Sequence, residues 1–141
     1  MIKRGNIESY FISIEVDENT IETDNGFETS FMIDYSNFSL ECILEIDDFN
    51  LRLNMVIEQV DFSLDLLVKI NEFNRNSKYL KAHYSIANSN VLISTCQLYT
   101  NSNFERVMDA ILNSLVNLDS VFIEDLWNSI ISINEEDFFN E

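Results

Sequence analysis

The chain has 141 residues, of which 25 are acidic and 8 are Lys or Arg, so its formal net charge at pH 7 is −17. This length predicts one domain spanning residues 1–141, and 46% hydrophobic residues, including 11 Phe, can fill its core. The apolar content excludes global disorder despite the charge. The scarcity of cations disfavours direct binding to nucleic acid or to an acidic membrane surface.

Few residues are available for a metal or cofactor site. The chain has two cysteines without a CxxC spacing and one histidine, so we expect no metal site and two buried, reduced thiols at Cys42 and Cys96. Two glycines cannot build a glycine-rich phosphate loop, and we expect no cofactor. No signal-peptide core and no apolar run of about 18 residues is present, which predicts a soluble cytoplasmic protein.

Residues 1–25 fit two interpretations. A helical spacing relates Ile7, Phe11 and Ile14, whereas a strand spacing relates Tyr10, Ile12, Ile14 and Val16. Short apolar runs of this kind cannot be assigned by period alone. We favour a short helix that ends near Ile14, followed by a polar loop to Gly26.

From residue 27 onward the apolar residues alternate with polar ones. Residues 27–35, 38–46 and 51–57 are three such runs with short connections, which predicts an antiparallel meander with one buried face. Alternate residues of a strand point to opposite faces, so five carboxylates are expected on the outer side of this sheet. They are Glu28, Asp34, Glu41, Glu45 and Asp47.

The second half of the chain predicts a helix, a hairpin and another helix. Asp61 or Ser63 can cap the first helix, which should end between Asn74 and Ser77. A hairpin follows, with its turn at residues 88–90. Residues 104–116 form a strongly amphipathic helix capped by Thr100, Asn101 or Ser102.

The chain end is predicted to hold a further helical piece and a frayed tail. A break near residues 119–120 precedes a second apolar segment that contains Trp127. Residues 134–141 are expected to be a frayed acidic tail. The fold class expected for the whole chain is α+β, in the order α-β-β-β-α-β-β-α, with about five antiparallel strands and the helices on one sheet face.

One segment resembles a known family. Ile70-Asn71-Glu72-Phe73-Asn74, followed by Leu80-Lys81-Ala82-His83-Tyr84 and a hairpin, is similar to the YbjN family of small bacterial proteins. The resemblance covers roughly residues 26–131. It implies the type III secretion chaperone-like fold, frequently a dimer, and it brings no catalytic residues. Secretion chaperones of this fold are also small, acidic and non-enzymatic, and they hold a partly unfolded client.

The charge is segregated along the chain. No Lys or Arg lies between Arg4 and Arg52, where twelve acids occur, and none follows Arg106, after which eight acids occur. Acids alone can serve solubility, but this excess also favours a basic protein partner. The carboxylates of the outer side are therefore our candidate binding residues, with Trp127 as a candidate interface aromatic.

Catalytic candidates are weak by comparison. His83, the single histidine, is expected at the surface beside Lys81 without a matched nucleophile, so we do not expect an enzyme. Asn71 and Asn74 are expected to cap a helix end and bond to the following segment.

Two functions fit these observations. The first is a non-enzymatic, secretion-chaperone-like module that binds a basic or partly unfolded protein. The alternative is a phage- or plasmid-encoded inhibitor or immunity protein whose acidic surface mimics nucleic acid. A phosphate-mimicking contact should weaken steeply with salt, whereas an apolar one should persist.

Overall fold

A computed structural model describes residues 2–35 and 38–119 of the chain. In these residues three α-helices accompany a six-stranded antiparallel sheet, which confirms the α+β class. The helices are α1 (Arg4–Ser13), α2 (Leu64–Asn76) and α3 (Phe104–Val116), and a 3-10 turn over Asn117–Asp119 follows α3. None of these helices is long and apolar enough to cross a membrane.

The sheet is a meander extended by a hairpin. Its strands, in spatial order, are β1 (Glu18–Thr23), β2 (Gly26–Asp34), β3 (Ser39–Ile46), β4 (Asn50–Ile57), β6 (Asn90–Leu98) and β5 (Lys81–Ser85). Each neighbouring pair is antiparallel. β6 rather than β5 pairs with β4, so β5 forms the edge of the sheet. The chain passes through α2 between β4 and β5.

One face of the sheet is buried under the helices. The ring of Phe11 in α1 lies 5.0 Å from that of Phe31 in β2. The Tyr35 hydroxyl, just beyond β2, donates a 2.9 Å hydrogen bond to the carbonyl oxygen of Leu115 in α3. Alternating residues of β2, β3, β4 and β6 fill the core from this side, as the two-residue period predicted.

The sheet has one strand more than expected, and it lies in the segment predicted to be a polar loop. The predicted N-terminal helix is confirmed as α1, but Glu18–Thr23 form β1. As an edge strand, β1 buries only the side chain of Thr20 and therefore lacks the apolar alternation that identifies a strand. Its hairpin to β2 needs Gly26, because a Cβ atom there would collide with the carbonyl oxygen of Ile46.

The helix boundaries follow the expected caps at α2 but not at α3. The Ser63 hydroxyl accepts from the Leu66 amide at 3.0 Å, and α2 ends with Ser77 as its C-cap. At α3 the N-cap residue is Asn103 rather than Thr100, Asn101 or Ser102. The Asn103 side chain turns back to accept from the Thr100 amide, which closes the preceding turn instead of the helix end.

The C-terminal expectations lie outside the described residues. They concern the break after residue 119, the second helical piece, Trp127 and the tail at 134–141. The turn residues 36–37 between β2 and β3 also lie outside the description.

Candidate functional site: the uncovered face of the sheet

The face of the sheet that points away from the three helices is the candidate site, and we call it the outer face. It is formed by the residues whose side chains alternate with the buried ones along each strand. On β2, β3 and β4 they include Glu28, Ser30, Met32, Asp34, Glu41, Ile43, Glu45, Arg52, Asn54 and Val56. On β5 and β6 they are Lys81, His83, Leu92, Ser94, Cys96 and Leu98.

The pairing register brings two of the predicted carboxylates side by side. Glu28 of β2 is directly opposite Glu45 of β3, and Glu45 is directly opposite Arg52 of β4. Opposite positions in an antiparallel pair place their Cβ atoms about 5 Å apart. Arg52 adds a positive charge at the position beside Glu45, although its guanidinium is paired with Asp47, at 3.8 Å.

The other predicted carboxylates of β2 and β3 face neutral neighbours. Glu41 is exposed and lies opposite Met32, whereas Asp34 lies opposite Ser39, whose hydroxyl donates to it at 2.5 Å. Glu28, Asp34, Glu41 and Glu45 thus form one surface on β2 and β3, which we call the acidic half of the outer face.

Asp47 has a different environment from these four residues. It lies one residue beyond β3, where its carboxylate accepts from the amides of Phe49 at 2.9 Å and Asn50 at 2.7 Å. These hydrogen bonds, the one from Phe49 above all, lower the pKa of Asp47, and Arg52 at 3.8 Å acts in the same direction. The carboxylate therefore closes the β3–β4 turn as well as adding charge at the end of the acidic half.

Apolar side chains are interspersed with the acids. Met32 and Val56 are 47% and 41% exposed, and Ile43 lies half-buried between Glu41 and Glu45 along β3. The two-residue alternation puts all three on the polar side of the sheet, where only the carboxylates were predicted as binding residues. The signal for them was the presence of Met, Ile and Val at positions of the alternation that are otherwise polar.

The opposite half of the outer face holds the cations. A shallow depression of about 360 Å³ lies over β4, β6 and β5 and is lined by Arg52, Asn54, Lys81, Ser94, Cys96 and Tyr79, among others. The Lys81 ammonium donates to the carbonyl oxygens of Asn74 at 2.7 Å and Ser77 at 2.9 Å. It therefore neutralises the C-terminal end of α2, which leaves it less available to a bound anion.

The two cysteines and the histidine lie at different depths in the structure. Cys42 is fully buried on the core face of β3, as expected, but Cys96 is exposed on the outer face, so the expectation of two buried thiols is wrong for Cys96. Both are free thiols. His83 is exposed on β5, as predicted, and it lies opposite Leu92. Within residues 2–35 and 38–119, no group of three His, Cys, Asp or Glu side chains is arranged to hold a metal ion.

The buried polar groups serve the fold. The Thr20 and Thr29 hydroxyls bond to each other at 2.9 Å in the core between β1 and β2. The hydroxyl of Tyr10 donates to Asp109 of α3 at 2.6 Å, and burial, reinforced by this carboxylate, raises the pKa of the Tyr10 phenol. These pairs join helices and strands and are satisfied, so they do not indicate a binding site.

Comparison with protein-family models, with curated proteins and with solved structures finds no match to this chain. The resemblance to the YbjN family therefore depends on the residues of the α2–β5 segment alone, and the outer face has to be interpreted from its own chemistry.

Proposed function

We propose that the chain is a non-enzymatic binding module that holds a basic protein partner on the outer face of its sheet. The observation that supports this proposal is the mixture on the acidic half, where Glu28, Glu41 and Glu45 alternate with Met32 and Ile43. Carboxylates steer a basic partner and fix its orientation, whereas apolar side chains gain free energy when water leaves them. A surface with both properties suits a folded or partly unfolded protein better than a small ligand.

We place this binding in the cytoplasm. The support is that Cys42 and Cys96 are free thiols, one of them exposed, and exposed thiols persist in a reducing compartment. We expect no direct contact with nucleic acid or membrane, because both are anionic and the acidic half would repel them.

The test uses charge reversal at two sites with the same change in net charge. Glu41→Lys/Glu45→Lys reverses the acidic half, and Glu72→Lys/Glu105→Lys reverses two exposed acids on α2 and α3. A partner is first captured from a lysate of the source cells, and its dissociation constant is then measured for each variant. We expect the outer-face variant to bind at least about tenfold more weakly, as for charge pairs at an interface, and the helix variant to bind as the parent does. Equal weakening in both variants would show that net charge, not this face, governs binding.

An inhibitor or immunity protein that mimics nucleic acid is a second candidate. The direct opposition of Glu28 and Glu45 favours it, because closely spaced negative charges resemble successive phosphates. The two candidates differ in their salt response. A mimic should lose nearly all of its affinity between about 0.1 and 1 M salt and should compete with DNA for the partner. A module that also uses Met32 and Val56 should retain measurable affinity at high salt. Met32→Gln should lower this remaining affinity.

A further inference from the structure

The backbone groups at the two edges of the sheet differ in their hydrogen bonding. β5 forms one edge and β1 forms the other. At β5 the side-chain amide of Asn74 donates to the Ala82 carbonyl at 2.8 Å and accepts from the Ala82 amide at 2.7 Å. These two bonds take the place of a neighbouring strand at Ala82, so Asn74 closes this edge near the start of β5.

Over the residues that the structure describes, the edge of β1 is open except at the Thr20 carbonyl, which an incoming strand would have to take over from Arg4. This carbonyl accepts a hydrogen bond from the Arg4 guanidinium, so it points away from β2. Backbone groups of an antiparallel strand alternate in direction, which turns the amides and carbonyls of Glu18, Thr20 and Glu22 outward as well. Within residues 2–35 and 38–119, Arg4 is the one group that bonds to this edge.

The acidic residues around this edge favour a basic segment over a second copy of the chain as its binding partner. Glu15, Asp17, Glu18, Glu22 and Asp24 lie on β1 or beside its ends. A second copy of the chain, paired antiparallel through Thr20, would place its Glu22 opposite Glu18, and like charges in opposite positions are destabilising. A segment with Lys or Arg at these positions gains the opposite interaction.

We propose that the open edge of β1 binds an extended basic segment of a partner protein as a seventh strand of the sheet. Basic side chains of that segment lie opposite Glu18 and Glu22, and apolar side chains alternate with them beside Ile21, which is 50% exposed on the outer face. The inference depends on the proposed function in one respect, that the partner is a basic protein. Backbone hydrogen bonds supply affinity in this mode, and alternate side chains supply selectivity.

A synthetic peptide tests the edge without the natural partner. The probe is Val-Lys-Val-Thr-Val-Lys-Val with both ends blocked, which places Lys opposite Glu18 and Glu22 and Thr opposite Thr20. Two N-methylated versions have the same charge and the same number of methyl groups. One carries them on the Lys, Thr and Lys nitrogens, which would face β1, and the other on three Val nitrogens, which would face away.

Amide exchange and titration by NMR provide the readouts. We expect the unmodified and Val-methylated peptides to slow exchange of the Glu18, Thr20 and Glu22 amides, and the Lys/Thr-methylated peptide to bind at least about tenfold more weakly, since it loses its backbone donors. Equal binding by the two methylated peptides, or binding without protection of these amides, would overturn the inference. So would protection in the free protein, as expected if residues 120–141 or a second copy already cover the edge.

Protein variants give an independent check. Glu22→Pro removes an outward amide without removing a bond to β2, and Glu22→Gln removes the same charge but keeps the amide. We expect the Pro variant to lose several-fold more affinity for the peptide than the Gln variant, with far-UV circular dichroism used to verify folding. Equal losses of affinity in the Pro and Gln variants would show that charge alone attracts the peptide. Failure at this edge would leave the outer-face variants as a separate test of the proposed function.

Discussion

The side-chain amide of Asn74 forms two hydrogen bonds with the backbone of Ala82, one as donor at 2.8 Å and one as acceptor at 2.7 Å. The carbonyl of the same Asn74 accepts from the Lys81 ammonium. Asn74, Lys81 and Ala82 therefore join the end of α2 to the start of β5. Their role is structural, and they position the depression and the closed edge of the sheet.

Asn74→Asp should lower the free energy of unfolding by about 1–3 kcal/mol, because the carboxylate keeps the acceptor but faces the Ala82 carbonyl without a donor. Urea denaturation at pH 7 measures this change. Asn71→Asp places the same charge one turn earlier at an exposed position of α2, and it should cost less than about 0.5 kcal/mol. Similar losses in both variants would assign the effect to helix electrostatics instead.

Glu28→Gln should stabilise the chain by about 0.2–1 kcal/mol at low salt, because it removes the repulsion from Glu45 on the adjacent strand. The gain should shrink in 1 M salt, which screens exposed charges. Thermal unfolding at the two salt concentrations measures both effects. Glu41→Gln is the matched control, since its cross-strand neighbour is Met32, and a gain of the same size there would contradict the pairwise explanation.

Asp47→Asn should lower stability at pH 7 but not in acid. The pKa of Asp47 is lowered in the folded state by the Phe49 and Asn50 amides and by Arg52. Its extra stability is therefore present above the ordinary pKa of about 3.9 and is lost as the pH falls through the folded value. At neutral pH we expect a loss of about 1 kcal/mol, a figure that allows for solvent screening.

Urea denaturation of Asp47→Asn at several pH values between 7 and 2.5 tests this dependence, and the difference from the parent should vanish at the acidic end. Asp48→Asn removes the same charge from the next residue, which makes neither turn hydrogen bond. A constant difference for Asp47→Asn across the whole range would rule out a contribution from its ionisation.

A thiol reagent should distinguish the two cysteines. Cys42 is fully buried, and burial raises the pKa of its thiol to about 12, so it holds almost no thiolate at neutral pH. Cys96 is exposed on the outer face. Folded protein should therefore release one equivalent of thionitrobenzoate per chain, and protein in 6 M guanidinium chloride should release two. Reaction of folded Cys96→Ser at the parent rate would contradict this assignment.

Much of the fold could be predicted from the sequence because the signal was local. Residues 27–57 alternate so regularly that three strands and their faces follow from the pleat, and Ser63 marks the start of α2. The acidic side of the meander was predicted in the same way. β1 was missed because an edge strand with one buried side chain carries no such pattern, and its pairing with β2 depends on the hairpin at Gly26.

The sequence by itself determined the excess of negative charge, the α+β class and the face on which the carboxylates of β2 and β3 lie, because these depend on composition and on periods of two and 3.6 residues. Only the tertiary structure decided that Glu28 lies opposite Glu45, that Asn74 closes one edge of the sheet and that the other is open at β1. The physical reason is that register and strand order are set by contacts between residues distant in the chain. No local pattern of side chains encodes which backbone groups remain available to a partner.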